Sequence, residues 1–238
     1  MRLHRPTAGQ FRPTCWTSLR LLGFVWMGLC FSIQASVALL VVVAMSTLPA
    51  HEKLVTYTRL VEAAVPFLAA VMGAYAFAPD NEPVIELLLV YPRPLWQTVL
   101  ERFIYMAGMM ATSSVASSLL FLTLNNQLNL NNLAQLAMTL GPPGLFVGAL
   151  GLATTMYMAR GTAGLLTTLI VCLMMAALPD ELLAAFPLLK WVYIFPFSRY
   201  GPSWAGWLTN RLILIVLGIL MSIVALYFTR DSERLLRI

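Results

Sequence analysis

The sequence predicts an all-α integral membrane protein with six transmembrane helices, and three observations support this. Hydrophobic residues make up 60% of the 238 residues and charged residues only 11%, whereas soluble domains usually carry about 25% charged residues. The mean hydropathy is +0.80. The apolar residues also fall into six runs, each long enough to approach the roughly 20 residues that a membrane-spanning helix needs. We therefore expect a single transmembrane domain over residues 1–238.

The six runs are separated by polar or proline-containing stretches, the first of which is a predicted loop at residues 46–58. The predicted spans cover residues 21–45, 60–77, 96–124, 136–158, 162–178 and 208–228. The first run is longer than the core of a signal peptide, which is about 7–15 residues, so we expect a span and no cleavage. Within the fourth run, or at its edge, lies Gly141-Pro142-Pro143-Gly144. Proline removes helix hydrogen bonds, so a kink or a break is expected there.

The amino-terminal stretch, residues 1–20, is basic, with aromatic residues between the arginines. It could be a disordered tail that fixes orientation. The favoured interpretation is an interfacial elbow helix from roughly Thr14 to Arg20, leading into the first span.

Lysine and arginine residues are distributed unevenly between the two sides that six spans define, and cytoplasmic loops usually carry the excess. One side, with both termini, has ten: Arg2, Arg5, Arg12, Arg20, Arg93, Arg102, Arg160, Arg230, Arg234 and Arg237. The other side has five: Lys53, Arg59, Lys190, Arg199 and Arg211. Both termini are therefore predicted to be cytoplasmic. This asymmetry explains the net charge of +5 without a nucleic-acid partner.

A short helix is predicted in the cytoplasmic stretch between spans 2 and 3, at residues 79–93. Asp80 is suited to an N-cap and Pro83 to the first helical turn. Residues 84–90 then give about two turns, with Glu82 and Glu86 on one face. Tyr91-Pro92-Arg93-Pro94 ends the helix, because proline disfavours helix in the residue before it and has no N–H to donate.

This stretch resembles a motif of the ABC-2 family of ABC transporter permeases, in which a Glu, a Leu pair, a Pro and a basic residue recur. The matching residues are Glu86, Leu88, Leu89, Pro92 and Arg102. The sequence departs from the motif at Pro83 and Glu101, where the family often has glycine. The motif covers about one tenth of the chain, and the order of hydrophobic runs agrees with the family.

The resemblance implies that residues 79–93 form a coupling helix, the contact for a separate ATPase. The predicted coupling residues are Asp80, Glu82, Glu86, Leu88, Leu89, Tyr91, Pro92, Arg93 and Arg102. The leucines would provide apolar contact and the glutamates orientation. The alternative is a solvated face of an interfacial helix.

The resemblance further implies a permease subunit that pairs with a second one, alike or different, above two ATPase subunits. The chain lacks the G-x-x-x-x-G-K-[ST] motif that cradles phosphate, so ATP and Mg are expected on the partner, with no enzyme activity or cofactor in this chain. Three cysteines and two distant histidines indicate neither a disulfide framework nor a metal site. A bacterial inner membrane is the expected location, and export the expected direction.

Seven aromatic residues occur between Trp191 and Trp207, within a stretch at residues 179–207 that is too patterned for a simple loop. They could be an aromatic belt at the headgroup level. The alternative is an outer gate, in which two short re-entrant helices, at residues 179–190 and 191–207, dip into the outer leaflet. The family resemblance implies such helices, and Phe195, Phe197 and Tyr200 would then close the outer mouth.

Ionisable residues are absent from the middle of every predicted span. Glu62 and Arg211 lie near predicted span ends, where snorkelling to the interface would explain them. The alternatives to the permease are an ion-coupled carrier, an intramembrane enzyme or a scaffold. An ion-coupled carrier usually needs ionisable groups deep in its spans, so their absence counts against that class. The apolar spans favour an amphiphilic or apolar cargo over a small ion.

Overall fold

The computed structural model describes residues 12–78, 94–200 and 204–229, with side chains from Gly28 onward. Regular structure within these ranges is entirely α-helical, as predicted. The helices are α1 (Arg12–Ala44), α2 (Ala50–Ala76), α3 (Leu95–Leu124), α4 (Leu130–Met158), α5 (Gly161–Ala176), α6 (Asp180–Ala185), α7 (Pro187–Val192), α8 (Pro196–Tyr200) and α9 (Trp207–Phe228).

Four of the described helices, α2, α3, α4 and α9, are long and apolar enough to cross a membrane. Two shorter apolar helical stretches, Gly28–Ala44 within α1 and Gly161–Ala176, accompany them. A helix satisfies its own backbone hydrogen bonds, which makes it one of the few structures that hydrocarbon tolerates. By length and composition this is a multi-pass membrane protein, and the count of six spans remains a prediction.

The starting points of the long helices differ from the prediction most clearly at α2. It begins at Ala50, inside the stretch predicted as a loop. Pro49 precedes it with an extended backbone, and Glu52 lies in the first turn, where a carboxylate is favoured by the helix dipole. The polar residues at the start of α2 therefore belong to a helical turn. By contrast, α3 and α9 each begin one residue before the predicted span and end at its last residue.

Helix α4 continues through Pro142 and Pro143. A kink or a break was expected there, and the prediction of a break is wrong. Both prolines are buried, and packing against neighbouring helices compensates for lost backbone bonds in membrane helices. The helix also has a local cap, because the Asn129 side chain accepts a hydrogen bond from the Asn131 N–H at 3.2 Å.

Helix α1 runs from Arg12 to Ala44 without interruption, so a separate elbow helix is not confirmed. It packs along α3. In that contact the buried Gln34 side chain donates to the Ser114 hydroxyl at 3.1 Å and accepts from the Ser117 hydroxyl at 2.9 Å. Hydrogen bonds of this kind hold helices together where there is no hydrophobic driving force between them.

The centre of the bundle is α4, which packs most extensively against α2 and α9. The α2–α4 contact is so close that a Cβ at Gly73 would collide with the Gly148 carbonyl. Small residues permit this approach of two backbones. Helices α2 and α9 both pack on α4, and their buried polar residues contact the segment described next.

Candidate functional site

The candidate site is the short-helix segment, residues 179–207, which joins α5 to α9. The part of this segment that the structure describes forms three short helices, where two were predicted, because the first predicted helix is divided at Phe186-Pro187. Phe186 has φ −120° and ψ 83°, since the residue before a proline is driven out of the helical region. Pro187 then starts α7 and Pro196 starts α8.

The carboxylate of Glu62, on α2, holds the start of α8. Its Oε1 accepts from the Phe197 N–H at 3.1 Å, and its Oε2 accepts from the Ser198 N–H and the Ser198 hydroxyl, both at 2.6 Å. The first N–H groups of a helix have no partner within the helix. A carboxylate from a distant helix thus caps α8 and fixes its position on α2.

Arg211, on α9, completes the partners of Glu62. Its Nη2 lies 2.7 Å from Glu62 Oε1, and both side chains have 0% exposure. Nη1 donates to the Ile194 carbonyl at 3.4 Å, and the guanidinium carbon lies 6.0 Å from the centre of the Trp207 ring.

The snorkelling interpretation of Glu62 and Arg211 is therefore wrong. Glu62 lies about 18 Å along α2 from its start, inside a candidate span, and the two charges neutralise each other.

Asn210, the residue before Arg211, binds the preceding part of the segment. Its Nδ2 lies 3.1, 2.9 and 3.0 Å from the carbonyl oxygens of Lys190, Trp191 and Tyr193. Asn210 is fully buried, and buried carbonyls need such partners. Two adjacent side chains of α9 thus hold both the end of α7 and the connection to α8.

A second ion pair lies at the exposed side of the segment. Arg199 Nε is 2.6 Å from Asp180 Oδ1, and the Asp180 side chain is 81% exposed. Arg199 Nη1 also donates to the Tyr193 hydroxyl at 3.3 Å. Burial raises the pKa of the Tyr193 phenol, with Arg199 acting in the opposite direction.

The predicted gate residues lie inside the segment. Phe195 and Phe197 are 4% and 2% exposed, and Tyr200 is partly buried. Tyr193 makes edge contacts with Phe195 and Tyr200, with centroids 6.1 and 6.5 Å apart. The three rings pack against the protein itself, and their role as a gate remains a prediction.

Most of the predicted coupling residues lie outside the described ranges: Asp80, Glu82, Glu86, Leu88, Leu89, Tyr91, Pro92 and Arg93. Arg102 is described, and its guanidinium carbon lies 5.3 Å from the centre of the Phe77 ring. Phe77 and Leu95, which flank residues 79–93, are buried in one cluster with Val99 and Phe103. The residues on either side of the predicted coupling segment are therefore buried in the same part of the bundle.

The network of Glu62, Asn210 and Arg211 was missed from the sequence. The sequence contained one signal for this network. The apolar run of α2 contains one acid, Glu62, and the start of α9 contains one base, Arg211. Among the described residues no group of three His, Cys, Asp or Glu side chains could hold a metal. The network is a mechanical junction between two long helices and a set of short ones.

Comparison of the chain with protein-family models, with curated proteins and with solved structures finds no match.

Proposed function

We propose that this chain is the transmembrane permease subunit of an ABC-2-type ABC transporter, in which it forms part of a path for ATP-driven export. The observation that carries the proposal is the short-helix segment before the last long helix. It is folded and anchored on α2 and α9 through Glu62, Asn210 and Arg211. The resemblance at Glu86 and Arg102 implies such short helices, whereas a plain connecting loop needs no buried charged anchor.

In this proposal α1 and α5 complete six spans, both termini are cytoplasmic, and residues 14–20 act as the elbow at a bacterial inner membrane. A second permease subunit, alike or different, and two ATPase subunits form the transporter, and the ATPases bind ATP and Mg. The cargo is amphiphilic or apolar.

Force from the ATPase would enter through residues 79–93. The burial of Phe77 and Leu95 in one cluster supports this, because a push on the segment reaches α2 and α3 together. Since α2 carries Glu62, the same movement reaches α8 and the residue before it, where Phe195, Phe197 and Tyr200 would form the outer gate.

The test is Glu86→Lys, with Glu52→Lys as the matched control. Both reverse a glutamate charge; Glu52 is exposed in the first turn of α2, on the opposite predicted side. The tagged chain is purified from its native membranes, its ATPase subunit is identified by its phosphate-binding loop, and ATP hydrolysis is measured. We expect Glu86→Lys to reduce recovery of the ATPase, because like charges at an interface cost several kcal/mol. Wild-type chain without an ATPase, or full coupling in Glu86→Lys, would contradict the proposal.

The buried Glu62 is the observation that favours an ion-coupled carrier, because such carriers use acids within spans. Here each carboxylate oxygen already accepts two hydrogen bonds. All four donors belong to the protein, and this leaves Glu62 suited to an anchor and poorly suited to exchanging ions.

A further inference from the structure

Helices α2, α3 and α4 enclose an elongated groove of about 510 Å³. The side chains along it are mostly small or apolar, and the hydroxyls of Ser114 and Ser118 are polar exceptions. Met106 and Met110 also line it, and flexible methionines adapt to apolar ligands. The groove is separate from the Glu62 network.

The dimensions of the groove decide what can occupy it. Its lining extends over residues 103–118 of α3 and 133–148 of α4, which is about 22 Å at 1.5 Å per residue. A volume of about 510 Å³ over that length corresponds to a mean width of roughly 5 Å for the positions that the centre of a water-sized sphere can take, and so to about 8 Å between the lining atoms once a radius of about 1.4 Å is added on each side. A helix with side chains is about 10–12 Å wide and does not fit. Non-bonded carbon atoms approach to about 3.5–4.0 Å, so one extended hydrocarbon chain does fit.

The opening of the groove lies between two spans. Ile104 and Val115, which line the groove on α3, are 60% and 41% exposed. Across the opening, a Cβ added at Gly108 or at Gly141 would meet nothing within 4 Å. Because α2, α3 and α4 are all candidate membrane spans, the medium outside this opening is the hydrocarbon of the bilayer, where lipid chains are the most abundant occupant.

We propose that this groove binds a single acyl chain of a bilayer lipid, held along α3 and α4 with its methylenes against the glycines and methionines. The site is a property of the membrane-embedded bundle and does not depend on the proposed transport role. If the ATPase experiment contradicts the transport proposal, the lipid-binding proposal is unaffected. If the lipid experiment fails, the transport proposal is likewise unaffected.

The test uses a phosphatidylglycerol whose acyl chain carries a diazirine at its middle, in vesicles that contain the full-length protein. We expect light-induced cross-links on α3 and α4 at residues that line the groove. Gly108→Phe and Gly141→Phe add a ring to the groove from α3 and from α4, and we expect each to reduce cross-linking about tenfold, since a ring takes up most of the width. The control is Gly28→Phe on α1, where an added Cβ likewise meets nothing within 4 Å.

Native mass spectrometry of the wild-type protein after delipidation gives a second measurement that needs no variant. One retained lipid per chain is expected. Absence of both a retained lipid and groove cross-links in the wild type would overturn the proposal. So would unchanged cross-linking in both filled variants, or an equal loss in Gly28→Phe. A further result would also overturn the proposal: the wild type shows no lipid cross-links, and Gly108→Phe converts a dimer to a monomer. The groove would then be occupied by a second copy of the chain.

Discussion

Glu62 and Arg211 are 149 residues apart in the chain and form an ion pair of 2.7 Å with no exposed surface on either side chain. The pair joins α2 to α9 and, through the Phe197 and Ser198 amides, joins both to α8. A buried pair is weak evidence for net stability, but breaking it leaves an uncompensated charge. Removing one partner of the pair should therefore cost much more than removing both, and this difference tests whether the two side chains are buried together.

Glu62→Gln preserves the shape of the side chain and removes its charge. We expect a loss of about 3–5 kcal/mol, because Arg211 would be left buried without a counter-charge. The measurement is thermal unfolding of the purified protein in detergent. Glu62→Leu combined with Arg211→Met should be less destabilised than Glu62→Gln, because no charge remains unpaired.

The exposed Asp180–Arg199 pair provides the control on the same segment. Asp180→Asn should cost less than about 1 kcal/mol, as exposed ion pairs usually do. Equal effects of Asp180→Asn and Glu62→Gln would show that Glu62 is accessible to water, contrary to the structure.

Asn210→Leu should loosen the connection between α7 and α8. The carbonyl oxygens of Lys190, Trp191 and Tyr193 share the two N–H donors of this side chain and would lose them, and a buried acceptor without a partner costs about 1–3 kcal/mol. Trypsin cleaves after Lys190, so we expect faster cleavage there, with the rate at Arg160 unchanged. Asn131→Leu, at an exposed position, is the matched control. Unaltered cleavage at Lys190 in Asn210→Leu would mean that Asn210 does not hold the segment.

The sequence predicted the elements that depend on local pattern and missed those that depend on distant partners. The apolar runs placed α3 and α9 to within a residue. The start of α2 was missed because His51, Glu52 and Lys53 are polar, although a helix end tolerates polar residues. The Glu62–Arg211 pair was missed because a single charge near a span end is compatible with snorkelling. Only the packing of α2 and α9 on α4 brings the two charges together.

Gly73→Ala should destabilise the bundle by about 1–3 kcal/mol, as over-packing generally does, because its methyl group would meet the Gly148 backbone. Gly28→Ala, with open space around the added carbon, should have little effect or stabilise α1. Thermal unfolding of both variants measures the difference. Equal stability of the two would show that α2 and α4 are further apart than described.

The predicted topology places Leu128 outside and Arg160 inside. In a background with Cys15, Cys30 and Cys172 replaced, a cysteine at 128 should react with an impermeant maleimide in intact cells. A cysteine at 160 should react only after permeabilisation. Leu128 is 59% exposed and Arg160 is also exposed, so both sites are accessible to the reagent. The reverse pattern would invert the orientation, and with it the placement of residues 79–93.

Asn210 and Arg211 are consecutive on α9, and between them they hold backbone groups from Lys190 to Ile194 directly and α8 through Glu62. Rotation of α9 about its axis would turn these two side chains and pull on every one of those groups at once. Helices α7 and α8 are therefore not a free flap hinged only at its ends. Any opening on this face must be a concerted tilt of α9 with its attached segment, or must begin by separating Glu62 from Arg211.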